Sequence, residues 1–160
     1  MFSGCSSLRT APNLPSTQLG EHCYYYMFNN CKSLITAPTL PATTLSNYCY
    51  SYMFYGCQSL INGPQLLAST NAPTGCYSSM FYNCSNLVQA PEILATTMGQ
   101  SACSNMFSGC TSLTQAPYIR ATELGTTCFS YMFNYCSNIL SHHFASINES
   151  YDVLYLNLAC

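Results

Sequence analysis

The sequence predicts an α/β solenoid, a stack of about six 26-residue coils, each a short strand, a turn and a short helix. Three observations predict it. The dipeptide Met-Phe recurs at 1–2, 27–28, 53–54, 80–81, 106–107 and 132–133, with spacings of 26, 26, 27, 26 and 26 residues, and a period of that length marks stacked supersecondary units. Each Met-Phe is followed three residues later by a cysteine (Cys5, Cys31, Cys57, Cys84, Cys110, Cys136). A second cysteine lies four residues before the dipeptide, once three (Cys23, Cys49, Cys76, Cys103, Cys128).

The second copy, residues 27–52, shows the expected elements most clearly. The stretch Cys31, Leu34, Ala37, Pro38, Leu40 places small and aliphatic residues at intervals and reads as one extended segment per coil. Its proline should end the ladder, because it donates no hydrogen bond. Leu-Pro-Ala-Thr-Thr-Leu then makes a turn; its proline (Pro15, Pro41) becomes Leu67, Leu94 and Arg120 in later copies, so it assists without being required. Next, Leu45, Cys49, Tyr50, Met53 and Phe54 fall at i, i+4, i+5, i+8 and i+9, which is one apolar face of a helix. Gly20, Gly75, Gly99 and Gly125 precede this segment, and Pro73 stands there in copy three, as suits a helix's first turn. Gly4, Asn30, Gly56, Asn83, Gly109 and Tyr135 mark its end, five of the six being types that tolerate a left-handed cap. The coils start near residues 1, 27, 53, 80, 106 and 132 and fill 1–140. After Ile139 the pattern stops, and 141–160, with the alternating Val153-Leu154-Tyr155-Leu156-Asn157-Leu158, is expected to cap the last rung. Met1 coincides with the repeat's own methionine, so the chain reads as a section of a longer array, with an open N-terminal rung suited to self-association.

At this level the pattern resembles the BspA-like leucine-rich repeats, the Treponema pallidum type, of bacterial surface proteins. The resemblance rests on Phe54-x-x-Cys57-x-x-Leu60 and its copies Phe28/Cys31/Leu34, Phe2/Cys5/Leu8, Phe81/Cys84/Leu87 and Phe107/Cys110/Leu113, with Leu19-Gly20 and Leu124-Gly125 resembling the family's Ile-Gly. It covers residues 1 to about 140. The repeat here is about three residues longer than the family's, and Ala-Pro replaces most of the strand isoleucines. The resemblance implies a leucine-rich-repeat-like stack, no catalytic residues, and adhesion or ligand binding at a cell surface.

Composition bounds the partners. Charged residues make up 5% of the chain, three Lys/Arg against five Asp/Glu, so there is no basic footprint for nucleic acid. No window holds 18 uninterrupted apolar residues, and no membrane insertion is expected. A surface of Ser, Thr, Asn, Gln and Tyr is commoner outside cells, so the expected location is extracellular or a bacterial cell surface. No signal peptide is visible, which carries no weight in a chain that reads as a section.

Twelve cysteines are the sharpest chemical feature. Metal sites favour Cys-x2-Cys groupings, and none occurs, so neither metal nor cofactor is expected. Two structural readings stay open. Equivalent thiols stack from coil to coil as small core hydrophobes. Alternatively they pair as disulfides, either from rung to rung between neighbouring coils or within a coil as Cys31–Cys49 and its equivalents, the latter leaving Cys136 for Cys160. His22, His142 and His143 lack the base and orienting group that a Cys/His nucleophile needs, and the sequence points to no enzyme.

Two surfaces are candidates for binding. Thr10, Thr36, Asn62, Gln89 and Gln115 precede the Ala-Pro or Gly-Pro pair, and Asn13, Thr39, Gln65, Glu92 and Tyr118 follow it. Core positions repeat from copy to copy while these vary, so they are expected to form adjacent ladders on one recognition face. Tyr26, Tyr52 and Tyr131 are expected to point outwards as an aromatic strip for a protein or glycan partner. The expected function is a non-enzymatic scaffold for adhesion or recognition through the strand face. The alternative is a structural protein assembling head-to-tail into a fibre or surface layer. An ice-binding solenoid needs a regular threonine array, and the pairs Thr43-Thr44 and Thr96-Thr97 give way to Ser16-Thr17, Ser69-Thr70 and Thr122-Glu123.

Overall fold

The structure, a computed structural model, describes residues 1–68 and 70–139; the expected cap at 141–160, with Cys160, lies outside the described residues. Successive coils pair in parallel at the repeat's own offset. Thr10 pairs with Thr36, Thr36 with Asn62, and Asn62 with Gln89. Further along each coil Leu40 pairs with Leu66 and Ile93 with Ile119. Gln18 pairs with Thr44, and at that place in later coils β1 (Asn71–Ala72), β2 (Thr97–Met98) and β3 (Glu123–Leu124) form a parallel sheet in the order β1-β2-β3. The longer third coil takes its extra residue between Ala68 and Asn71, since Leu66 keeps the register of Leu40 while Asn71 pairs with Thr97. Proline interrupts the ladder without ending it: pairing stops at Pro38 and Pro64 and resumes two residues later, at Leu40 and Leu66.

The expected helix is absent among the described residues. Residues 21–30, 47–56, 74–83, 100–109 and 126–135 are instead runs of overlapping turns. In the first run His22, Tyr24, Tyr26, Phe28 and Asn30 each donate their N–H to a carbonyl of the next coil, at Asn47, Cys49, Ser51, Met53 and Tyr55. The residues between them donate locally, three residues back: Cys23 to Gly20, Tyr25 to His22, Met27 to Tyr24, Asn29 to Tyr26. Every fourth residue is left-handed, as at His22 (φ 55), Tyr26 (φ 53) and Asn30 (φ 55), then Tyr48, Tyr52 and Gly56. A positive φ at the third position of a turn is the type II geometry. A helix would direct its amides four residues back within one segment; here half of them hold the next coil.

The core consists of columns running through the stack. Phe2, Phe28, Phe54, Phe81, Phe107 and Phe133 stack with centroids 5.5 to 5.7 Å apart and planes within 11°. This is the offset arrangement that aromatic quadrupoles favour. Leu34, Leu60, Leu87 and Leu113 form a second fully buried column, and Met53, Met80, Met106 and Met132 a third. Each such side chain, fully buried, contributes about 1.5–3 kcal/mol through removal of its apolar surface from water.

Cysteines build two further columns, and no disulfide joins the described ones. Cys31, Cys57, Cys84, Cys110 and Cys136 donate their Sγ–H to the carbonyls of Phe2, Phe28, Phe54, Phe81 and Phe107 in the preceding coil, at 3.0 to 3.1 Å. The structure joins none of the within-coil pairs Cys5–Cys23, Cys31–Cys49, Cys57–Cys76, Cys84–Cys103 and Cys110–Cys128. The reason is topological, because the two cysteines of a coil belong to separate columns. The second column departs from the simple spacing in coil four. Tyr24 donates to Cys49 and Tyr77 to Ala102, so Ala102 occupies the thiol position. Cys103 takes the aromatic position held by Tyr24, Tyr50 and Tyr77.

Candidate functional site

The ten ladder residues that vary between copies are all exposed: Thr10, Thr36, Asn62, Gln89 and Gln115 on one side, Asn13, Thr39, Gln65, Glu92 and Tyr118 on the other. The first row is held in register by the direct pairings Thr10–Thr36–Asn62–Gln89. Between the rows run Ala37, Gly63, Ala90 and Ala116, half-buried, and the buried Pro38, Pro64, Pro91 and Pro117. Short side chains here leave the surface hollow. A cavity of about 240 Å³ is lined by Gly63, Pro64, Gln65, Gln89, Pro91 and Glu92, and one of about 420 Å³ by Gln89, Ala90, Glu92, Gln115, Pro117 and Tyr118. A third, of about 220 Å³, lies among Pro38, Thr39, Leu40, Pro41, Pro64 and Gln65. The face is thus a shallow trough with an apolar floor and walls of carboxamides, hydroxyls and the Glu92 carboxylate. Carboxamides both donate and accept hydrogen bonds, so the trough suits a neutral polar ligand.

One row of this face is not evident from the repeat. Ile35, Ile61 and Val88 stand 44%, 46% and 49% exposed, immediately before Thr36, Asn62 and Gln89. Three β-branched apolar residues at one repeat position read as core. Each nonetheless lies outside, so that two successive residues are exposed in these coils. Arg9 and Thr114 hold the same position in the first and fifth coils.

The aromatic strip is corrected. Tyr26 and Tyr52 stack, with centroids 4.6 Å apart and planes 13° from parallel. The positions that follow in register hold Ser79 and Asn105, so exposed Tyr131 stands apart from them. The structure assembles a different group, spread over coils one to four. His22 stacks on Tyr48 at 5.1 Å. Tyr25 meets His22 at 5.3 Å, Tyr26 at 4.4 Å and Tyr52 at 5.8 Å, near perpendicular to each. Tyr52 contacts Tyr55, which stacks on Tyr82 at 4.9 Å. Desolvation, and then a hydrogen bond with Tyr25, push the Tyr26 phenol up to about 12. Sequence spacing misses this group because Tyr25, Tyr48, Tyr55 and Tyr82 occupy three different repeat positions.

The threonines also fall into a register that pairwise inspection misplaces. Thr43 donates its N–H to Thr17, Thr97 donates to Thr70, and Thr122 to Thr96. Thr17 with Thr43, and Thr70 with Thr96 and Thr122, are therefore equivalent positions. The hydroxyls of Thr96 and Thr122 bond the carbonyls of Thr70 and Thr96 in the preceding coil, which makes the column a structural brace.

The buried thiols are chemically quiet. Burial pushes Cys57 up to about 12 and Cys49 and Cys136 up to about 11, and raises Cys76, Cys84, Cys103 and Cys110 well above the ordinary value. A nucleophile or metal ligand needs the thiolate, which these sites disfavour. Among the described residues no group of three or more His, Cys, Asp or Glu could hold a metal ion, and no helix is long and apolar enough to cross a membrane. His22 lies 4.0 Å from the Glu21 carboxylate on open surface. Comparison with protein-family models, curated proteins and solved structures finds no match.

Proposed function

We propose that the chain is a non-enzymatic scaffold for adhesion or recognition, acting outside the cell or at a bacterial surface, and binding its partner through the trough between the two ladders. One observation carries this reading. Positions inside the stack repeat almost unchanged, whereas the ten exposed ladder positions differ from coil to coil and flank three hollows. A stack of this kind displays different side chains on a constant backbone, which is how repeat proteins present extended binding surfaces. The Phe-x-x-Cys-x-x-Leu similarity to BspA-like repeats and the low charge support an extracellular setting. The free thiols do not demand one, since the described coils close without disulfides.

The test uses the full chain immobilised against a panel of purified extracellular-matrix proteins, compared with the triple variant Asn62→Ser, Gln89→Ser, Gln115→Ser. Binding by the wild-type chain that weakens about tenfold or more in the variant supports the trough. Equal binding by both chains places recognition elsewhere and overturns the assignment. Because the ladder carries Glu92 as its single charged side chain, affinity at the trough is expected to change little with salt.

A further inference from the structure

We propose that the aromatic patch of His22, Tyr25, Tyr26, Tyr48, Tyr52 and Tyr55 is a second binding site, separate from the trough, and that its ligand is a neutral oligosaccharide. The patch is not needed to build the coil. At the position of Tyr25 the following coils carry Ser51, Ser78, Ser104 and Ser130, and the hydroxyls of the first three bond the carbonyl of the next coil. At the position of Tyr26 and Tyr52 stand Ser79 (φ 52) and Asn105 (φ 55), and at that of His22 and Tyr48 stand Gly75 and Ser101 (φ 52). The same left-handed backbone is thus made by small residues in coils three and four. A bulky side chain in that region is strained, yet His22, Tyr26, Tyr48 and Tyr52 all adopt it. The fold tolerates aromatic rings there without requiring them, which points to a use beyond folding.

The chemistry of the patch selects the ligand. Five tyrosines offer ring surface for the C–H faces of pyranoses and phenol hydroxyls for their O–H groups, the combination of an apolar body and a polar tip. Among the described residues the one ion pair at the patch is Glu21 with His22, at 4.0 Å on open surface, so the patch offers little charge to a charged ligand. The rings do not form a cage for a quaternary ammonium group, because His22–Tyr48 and Tyr26–Tyr52 stack on each other at 5.1 and 4.6 Å. That close stacking also leaves no slot between rings for the prolines of a polyproline II peptide.

The experiment titrates the full chain with chito-, cello- and manno-oligosaccharides, a sulfated glycan fragment and decaproline. Tyrosine emission is the readout, unmasked by Trp, which the chain lacks. The comparison is the variant Tyr25→Ser, Tyr26→Asn, Tyr48→Ser, Tyr52→Asn, which installs residues that other coils already carry, with Tyr26→Asn alone as a milder second variant. The expected result is binding of at least one neutral oligosaccharide, weakened about tenfold or more in the fourfold variant and measurably in the single one, with unchanged circular dichroism. The trough variant should keep this binding, so the two sites fail or stand separately. The proposal is overturned if no neutral sugar binds, if only decaproline or the sulfated fragment binds, or if binding survives the substitutions.

Discussion

The side chain of Asn30 fills the space that a Cβ on Gly56 would need, and Asn83 does the same at Gly109. Asparagine and glycine alternate along this column, at Gly4, Asn30, Gly56, Asn83 and Gly109, and every one has a positive φ. Both residue types tolerate the left-handed region, but the glycines also make room for the preceding asparagine. Two contributions therefore separate by position. At Gly4 nothing lies within 4 Å of an added Cβ, so Gly4→Ala should cost only the conformational penalty, about 1–2 kcal/mol. Gly109→Ala should cost that plus the displacement of Asn83, about 2–4 kcal/mol in all. Urea unfolding of the two variants checks the difference; equal losses would mean that the asparagine does not seat on the glycine.

At the scale of elements, the columns were legible and the helix was not there to be read. Leu45, Cys49, Tyr50, Met53 and Phe54 fit a helical face over ten residues, but the same residues, continued to Cys57, repeat every four positions without drift. A helix turns about 40° past register with each step of four, so a strict four-residue period belongs to the turn run. The left-handed positions that would have announced those turns are hidden, because His22, Tyr26, Tyr48, Ser79 and Thr127 occupy them alongside Asn and Gly. Only the last of them in each run, Gly4, Asn30, Gly56, Asn83 and Gly109, read as caps. The thiol column has its own consequence. Cys57 has its pKa raised by burial from 9.0 to about 12. In the unfolded chain it ionises near 9, while in the folded chain it stays neutral, so the folded state binds more protons between those values. Stability is therefore full below about pH 9 and falls as pH rises through this window. The denaturation midpoint, measured from neutral to alkaline pH, should drop there; for Cys57→Ala the drop should be smaller, since one such group is gone.

For the whole molecule, one register decides both what is buried and what is displayed. The pairing that sets Thr36 beside Asn62 and Gln89 on the surface also sets Phe28, Phe54 and Phe81 on one another inside. The ladder face was legible from the sequence because it varies where the core repeats. The exposed Ile35, Ile61 and Val88 were not, since three aliphatic residues at one repeat position read as core, and the tyrosine patch was not, since it depends on contacts between different repeat positions. The exchange of Ala102 and Cys103 shows the same limit: one-residue shifts inside a coil leave the spacing of Met-Phe untouched. The register is tested most directly by peptide-mapped alkylation of the native and the unfolded chain under non-reducing conditions. The stack predicts rapid native labelling at exposed Cys5 and Cys23, protection of Cys31, Cys49, Cys57, Cys76, Cys84, Cys103, Cys110 and Cys128, and full labelling of these eight as thiols after unfolding. Disulfide-linked peptides among them, or native labelling of Cys57 and Cys84 as fast as Cys5, would contradict the stack and the face it presents.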